Sequence, residues 1–181
     1  MSAVVLIAAT ALQWFIVAPL VAAHRPCIRA SIDGFHNHRA VRHARGRTPP
    51  EGFYRDSFNL AAFRKALLHP LGPGGNRRYC VAAYDHRTDS PVEMTEETAP
   101  ANAVLLVDGI FLQRPELDGI WALTIFLDVP FAQTFARMAV RDGSPADETD
   151  AANQRYRQGQ QLYIAECEPQ ARAHILVDYV N

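Results

Sequence analysis

Apolar residues along this chain form short continuous runs that alternate with longer amphipathic stretches. Residues 103–107 and 123–127 are uninterrupted apolar runs apart from Thr124, and the residue that follows each run is an aspartate, Asp108 or Asp128. Residues 27–32, which include Arg29 and Ser31, also predict a short strand, and this strand is followed by Asp33. Continuous apolar runs of this length are typical of strands buried on both faces of a parallel sheet. The pattern therefore predicts parallel strands that end in acidic residues, and residues 175–180 predict a last strand.

Between these strands the hydrophobic positions follow a helical period. Helices are predicted over 58–68, with Ser57 as the N-cap, and over 131–141 and 153–172. Residues 36–51 predict a loop, 70–75 a turn, 79–84 a strand and 87–101 an irregular or hairpin segment. Strands that alternate with helices indicate an α/β fold, a three-layer αβα arrangement around a doubly wound, mostly parallel sheet. The functional site of such a fold lies at the carboxyl ends of the strands.

The N-terminal stretch 3–23 contains no charged residue. One interpretation is a buried strand at 4–8 followed by a buried helix at 11–23. The other is a membrane anchor, with His24 and Arg25 on the cytoplasmic side. The buried interpretation is favoured because a soluble α/β pattern follows. We therefore divide the chain into an atypical apolar N-terminus, 1–26, and a domain, 27–181.

Composition narrows the class of protein. The 181 residues, 49% apolar and 20% charged, suit one globular domain with a sizeable core. A net charge of −1 gives no general attraction to nucleic acid, so no nucleic-acid partner is expected. The three cysteines are widely spaced, which indicates reduced thiols in a cytoplasmic protein rather than a disulfide framework or a zinc site.

Asp33 and Asp108 both lie where a predicted buried strand meets a loop. Because the carboxyl ends of parallel strands share one edge of a sheet, the two side chains should face the same crevice. A carboxylate at the end of a buried strand is how P-loop proteins hold Mg²⁺. The alternative, with equal support from the residues alone, is that each aspartate caps a following helix.

A series of motifs, taken in order, resembles the uridine kinase group of P-loop phosphotransferases, which belongs to the phosphoribulokinase and uridine kinase family. The resemblance covers about residues 27–180. The motifs are SIDGFH at 31–36, GFYRDSF at 52–58, YDHRTD at 84–89, VLLVDGIFL at 104–112, IFLDV at 125–129, and Arg137 with Arg141-Asp142.

The resemblance implies roles for single residues. Asp33 matches the acid that accepts the proton of the attacking hydroxyl, and Asp108 matches an acid near Mg²⁺. Arg137 and Arg141 match lid arginines that stabilise charge on the transferred group. The alternative for these two arginines is a pair of solvent-facing charges on one helix.

The resemblance also implies a substrate-binding set. Its members belong to the motifs at 31–36, 52–58 and 84–89: Phe35, Tyr54, Tyr84, His86 and Arg87. Uridine kinases usually have a histidine where this chain has Asp89, which argues against uridine itself. The alternative for Tyr84 is a core aromatic residue whose hydroxyl is satisfied locally.

The segment that follows Asp33 is rich in histidine and arginine. His36, His38 and His43 suggest a metal site together with Asp33, but the arginines between them argue against a bound cation. We interpret four arginines here as a mobile basic loop that screens phosphate or stays solvated: Arg39, Arg42, Arg45 and Arg47.

The Walker A loop, G-x-x-x-x-G-K-[ST], is missing from the sequence. The first glycine is Gly34 and the only lysine is Lys65. The resemblance implies ATP and Mg²⁺ as cofactors and a nucleoside or similar hydroxyl compound as substrate, but no residue is available for the phosphate-binding role. Three alternatives stay open: a kinase whose N-terminus differs in the working gene product, a non-catalytic binding relative, and a membrane-anchored domain. A monomer and a homo-oligomer are both compatible with the sequence.

Overall fold

A computed structural model describes residues 2–7, 19, 23–93 and 95–178. At its centre lies a sheet of five parallel strands: β1 (Ser2–Ile7), β2 (Cys27–Ser31), β7 (Val104–Asp108), β8 (Leu123–Asp128) and β9 (Ile175–Asp178). Their order across the sheet is β2-β7-β1-β8-β9. The chain thus starts at the central strand, builds one side and then crosses to the other, so the predicted doubly wound α/β fold is confirmed.

The strand predictions hold where the apolar runs are continuous. In β7 the four residues Val104–Val107 are each no more than 1% exposed. Because successive side chains of a strand point to opposite faces, both faces of β7 are covered, as the continuous apolar run predicts. The predicted strand at 4–8 corresponds to β1, which pairs with β7 and β8. The predicted helix at 11–23 and most of the alternative membrane segment lie outside the described residues. Within the described part of the chain, no helix has the length and apolar character needed to cross a membrane.

Four short strands form two small antiparallel ladders beside the main sheet. They are β3 (Arg78–Tyr79), β4 (Tyr84–Asp85), β5 (Ser90–Pro91) and β6 (Glu97–Thr98), paired as β3 with β6 and β4 with β5. The prediction of one strand over 79–84 was wrong, because the chain bends between β3 and β4. The hairpin predicted for the next segment is confirmed in part by the pairing of β4 with β5.

The helices differ from their predictions mainly at their ends. They are α1 (Arg39–Arg42), α2 (Pro50–Asp56), α3 (Leu60–Phe63), a π-helical segment (Arg64–Leu68), α4 (His69–Leu71), α5 (Phe131–Asp142), α6 (Ala151–Cys167) and α7 (Pro169–Arg172). The N-cap of α3 is Asn59, whose side chain accepts the Ala62 N–H, whereas Ser57 bonds to the Phe53 carbonyl. The helix predicted over 153–172 is interrupted at Glu168, which adopts a left-handed conformation.

The segment predicted as a mobile basic loop is ordered. Residues 39–42 form α1, and Arg42 lies 3.3 Å from Asp89 while Arg45 lies 2.7 Å from Asp56. Further along, α2 packs against α6. The loop prediction was wrong at 39–42 and at 50–51, which are helical, whereas 43–49 are turns, bends and irregular backbone. The partner of Arg42, Asp89, lies 47 positions away in sequence.

Candidate functional site

Asp33 and Asp108 lie at the ends of two adjacent parallel strands. Ser31 of β2 pairs in register with Asp108 of β7, and Asp33 follows in a 3-10 turn, Ile32–Gly34. The Ser31 hydroxyl links the two ends, since it accepts the Asp33 N–H at 3.2 Å and donates to the Asp108 carbonyl at 3.4 Å. Both backbones therefore reach the same edge of the sheet, as the predicted crevice requires.

A close contact fixes the spacing between these two strand ends. Gly109 directly follows Asp108 and has a φ of +138°, a conformation that side chains rarely allow. A Cβ on Gly109 would lie 2.2 Å from Cγ2 of Ile32, the residue before Asp33. Only glycine therefore permits this approach of the two acidic turns.

The end of helix α5 faces the same turn. Arg141 is exposed and forms a bidentate ion pair with Asp142, with distances of 2.7 and 2.6 Å. These hydrogen bonds, followed by the charges of Asp142 and Asp33, raise the pKa of the Arg141 guanidinium. The pKa of Asp142 is lowered, chiefly by Arg141 and also by Arg87. Arg141 thus lies within electrostatic range of Asp33, and Arg87 within range of Asp142. Arg137 lies one turn earlier on the same helix as Arg141.

Two histidine rings lie beside Asp33. The His36 and His86 rings are stacked, with centroids 4.4 Å apart and planes at 28°. His36 Nδ1 lies 2.9 Å from the Asp33 carbonyl, and because a carbonyl only accepts, Nδ1 carries the proton. Burial lowers the pKa of His36, so the ring is neutral at pH 7. The predicted substrate-binding residue His86 thus stacks on the histidine that contacts the predicted proton acceptor, Asp33.

Asp89 holds the hairpin that carries His86. Its carboxylate accepts hydrogen bonds from the Arg39 N–H at 2.7 Å, the Arg42 guanidinium at 3.3 Å and the Tyr84 hydroxyl at 3.1 Å. Arg42 also donates to the His86 carbonyl at 3.3 Å. These donors lower the pKa of Asp89 although its partial burial, the largest effect, opposes them. The network joins α1 to the β4–β5 hairpin.

Two predicted substrate-binding residues lie in the core. Phe35 is 0% exposed and its ring packs against Phe63 at 5.1 Å. Tyr54 is 2% exposed, and its hydroxyl lies 3.2 Å from Cys167 Sγ. Neither ring reaches the surface of the crevice, so their part in the motifs is to pack the segments that carry the site.

Sequence reasoning did not assign the roles of His36, Arg42 and Asp89. His36 stands in the motif at 31–36, so its proximity to Asp33 was open to prediction. The contact of Arg42 with Asp89 spans 47 positions and has no local signal in the sequence.

The residues of the site fit the cofactors implied by the resemblance only in part. Asp108 supplies one carboxylate, and proteins commonly hold Mg²⁺ through one or two carboxylates together with substrate phosphates. Among the described residues, no cluster of three or more histidine, cysteine or acidic side chains forms a metal site. For the triphosphate the fit fails, because a P-loop needs glycine and lysine after β1. Lys65 instead lines a cavity with Arg78, Cys80 and Glu96.

No family model matches the chain, and neither does any curated protein. Solved structures do match. A proposed uridine kinase from Bacillus stearothermophilus is 20% identical with a TM-score of 0.70, covering 98% of this chain and 90% of that one. A proposed fructose transport system kinase from Silicibacter sp. TM1040 is 27% identical with a TM-score of 0.66, covering 98% and 87%.

Phosphoribulokinase from Rhodobacter spheroides is a third similar structure, 14% identical with a TM-score of 0.67, covering 97% of this chain and 68% of that one. All three neighbours are kinases by name, and the similarity extends over almost the whole chain. The resemblance predicted from the motifs is thereby confirmed at the level of the fold: the chain has the P-loop kinase fold shared by uridine kinase and phosphoribulokinase.

Proposed function

We propose that this protein is a uridine kinase-like phosphotransferase that acts on a hydroxyl group of a nucleoside or a similar small molecule. The observation that carries the proposal is the meeting of Asp33 and Asp108 at adjacent strand ends, with Arg141 within electrostatic range of Asp33. A proton acceptor, a metal-binding carboxylate and a positive charge are groups that phosphoryl transfer uses.

Asp33 has the proton-accepting role. It is exposed at the mouth of the crevice, and its backbone is fixed by Ser31 on one side and by His36 on the other. An acceptor hydroxyl that donates its hydrogen bond to the Asp33 carboxylate loses its proton to that carboxylate as its oxygen attacks. The fixed backbone keeps the carboxylate in place for this transfer, which is a matter of positioning more than of covalent chemistry.

Arg141 has the second role, on the transferred group. Its side chain is 72% exposed, and its ion-pair partner Asp142 is its sequence neighbour at the end of α5. An exposed cation at this place suits the negative charge that spreads over a transferred phosphoryl group. Arg137, one helical turn earlier, is placed to add a second positive charge on the same face.

A turnover assay tests the proposal. The full chain is incubated with labelled ATP and Mg²⁺ and with uridine, cytidine, D-fructose or a ribulose phosphate, and phosphorylated product is measured. Asp33→Asn should lower turnover by about 10²–10⁴-fold, the usual loss for a removed catalytic base, at an unchanged melting temperature. Asp118→Asn is the matched control, because Asp118 pairs with Arg172 away from the crevice. Equal turnover of Asp33→Asn and the wild type contradicts the proposal.

A second candidate function is binding of the same acceptor compound without phosphoryl transfer. It is favoured by one observation, the lack of any glycine or lysine before Gly34. Isothermal titration with the same acceptor compounds separates the two functions. Acceptor binding with no labelled product supports the binding function, whereas labelled product that depends on Asp33 supports the kinase.

A further inference from the structure

A cavity of about 360 Å³ lies between the π-helical segment and the β3–β6 ladder. Lys65 and Ala66 form part of its helical side, and Arg78, Cys80 and Glu96 form part of the opposite side. None of these residues belongs to the crevice described above. Pockets that hold small organic molecules commonly have volumes of about 300–1,000 Å³, so this cavity has the size of a ligand site.

The walls of the cavity are apolar, and the backbone fixes their spacing. The Cys80 N–H donates to the Ala66 carbonyl at 2.9 Å, which ties the strand side to the helical side. Three alanines line the space, Ala62, Ala66 and Ala83, and all three are half-buried against the core. The larger Leu67 of the same helical segment is 0% exposed in the core instead. Methyl groups leave the space between the two walls open to a ligand with an apolar body.

The charged residues around the cavity leave one net positive charge. Arg78 and Glu96 neutralise each other, since the Arg78 Nε donates to Glu96 Oε1 at 2.5 Å. Burial, followed by the charges of Glu96 and Glu97, raises the pKa of the Cys80 thiol, so this side chain is neutral at pH 7. Lys65 forms no ion pair or hydrogen bond with any residue in the described part of the chain. Its ammonium group is therefore available to an anionic ligand.

This charge pattern favours a carboxylate over a phosphate group. A lysine ammonium is a compact point charge with three N–H donors, and it can pair with a single carboxylate. A phosphate ester carries about two negative charges and is usually held by several donors together. Here the Arg78 guanidinium is already paired, and the carboxylate of Glu96 would repel a second negative charge.

We propose that this cavity binds a small carboxylic acid with a compact apolar body. The carboxylate of the ligand pairs with the Lys65 ammonium, and its apolar body contacts the three alanines. Lys65 is the only lysine of the chain, and the proposed function gives it no role. The inference goes beyond the proposed function, because the cavity has none of the residues of the crevice and needs neither ATP nor phosphoryl transfer.

Two probes of similar shape and different charge test this inference. Phenylacetate and its neutral counterpart phenylacetamide are titrated calorimetrically into the full chain at pH 7 without ATP. The wild type should bind phenylacetate about 3- to 10-fold more tightly, the modest gain expected for an ion pair with an exposed ammonium group. Lys65→Met removes the charge from a side chain of similar length, so it should abolish this preference and leave phenylacetamide binding unchanged. Lys65→Arg keeps a positive charge and should keep the preference.

A second pair of variants locates the bound probe. Ala62→Leu extends a larger side chain into the cavity and should weaken the binding of both probes by about 3- to 10-fold. Ala61→Leu is the matched control, because Ala61 is an exposed neighbour on α3 that does not line the cavity. The melting temperature of each variant is measured as well. If Ala62→Leu does not fold, Lys65→Met still decides the result, since Lys65 is exposed.

Three outcomes would overturn the inference. One is a wild type that does not bind phenylacetate at concentrations up to about 10 mM. Another is a preference for phenylacetate that persists in Lys65→Met. The third is equal binding by folded Ala61→Leu and Ala62→Leu, which would locate the probe elsewhere. Because the titrations contain no ATP, they do not depend on the turnover assay, so this inference and the proposed function can fail separately.

Discussion

In the proposed kinase site, the acceptor side and the donor side of the crevice are built in different ways. On the acceptor side, the Asp33 carbonyl accepts a hydrogen bond from His36, and Arg42 of α1 contacts the His86 carbonyl and Asp89 of the β4–β5 hairpin. On the donor side, β1 ends beside Asp108, and the sequence that follows contains neither glycine nor lysine before Gly34. A hydroxyl compound is held by side chains, which this sequence has, whereas a triphosphate is held largely by a backbone shape that glycine permits.

The two halves of the proposed kinase site depend on different parts of the sequence, so one half can be present without the other. The packing that supports Asp33 involves residues of the core, such as Phe35 and Tyr54, which stabilise the fold whether or not a nucleotide binds. The phosphate-binding loop contributes little to such a core. A chain with this fold can therefore keep one half of the site while it lacks the residues of the other.

The largest expected effect concerns the donor side. We expect titration with ATP·Mg²⁺ to show affinity weaker by orders of magnitude than a P-loop would provide, because several charge-assisted hydrogen bonds, each worth about 1.5–3 kcal/mol, have no donors here. Arg141 attracts the negatively charged triphosphate but does not replace the backbone N–H groups of a P-loop. Arg141→Gln should therefore remove the ATP binding that remains. Micromolar binding of ATP by the wild type would break the comparison and point to another phosphate site.

A second effect lies at the junction between the two halves. Gly109→Ala should destabilise the protein by about 2–5 kcal/mol, since the added Cβ meets Ile32 at 2.2 Å and the φ of +138° disfavours any side chain. Gly119→Ala is the matched control: its φ is +73° and no heavy atom lies within 4 Å, so only the conformational cost of about 1 kcal/mol remains.

Urea unfolding of both variants measures the difference. A Gly109→Ala variant as stable as Gly119→Ala would mean that the two acidic turns are not held at this spacing. Acceptor binding should also weaken in Gly109→Ala, because a displaced Ile32 moves the adjacent Asp33.

The sequence could predict those parts of the fold that follow from continuous local patterns of apolar residues. The apolar run of β7 predicted a buried parallel strand, and the parallel rule then placed Asp33 and Asp108 at one edge. Those steps need only neighbouring residues and one geometric principle.

The predictions that failed depended on contacts between distant segments. Arg42 is held by an ion pair with Asp89, which lies 47 positions away. No local sequence pattern around Arg42 predicts that ion pair. Ser57 and Asn59 are both good N-caps by type. Ser57 is the C-cap of α2, and Phe58 forms a backbone bridge with His36, so the next helix begins only after Asn59. Phe35 and Tyr54 looked like ligand contacts because aromatic rings serve both purposes, and only burial separates the two.

The smallest expected effect is a pH dependence of stability on the acceptor side. Burial lowers the pKa of His36 and of His43. The charges of His86 and Arg42 lower the pKa of His36 further, and the charge of Arg155 lowers that of His43 further. The Asp33 carboxylate and its carbonyl oppose the shift at His36 but do not reverse it. Arg155 donates to His43 Nδ1 at 2.8 Å, which requires a neutral ring because a guanidinium has no acceptor.

Since both histidines bind a proton more weakly in the folded protein, the unfolded chain takes up more protons as the pH falls below about 6.5. Their contribution to the free energy of unfolding is therefore complete above that pH, and it declines as the pH falls toward the pKa values of the folded protein.

Urea unfolding at pH 7.5 and 5.5 should show a lower free energy of unfolding at the acidic pH. His43→Asn retains an acceptor for Arg155 without a titrating group, so it should reduce that difference, and His36→Asn should reduce it again. His38→Asn, at an exposed position, should leave the difference as in the wild type. A pH dependence of stability that is identical in all four proteins would show that neither half-buried ring is held neutral by its surroundings in the folded protein.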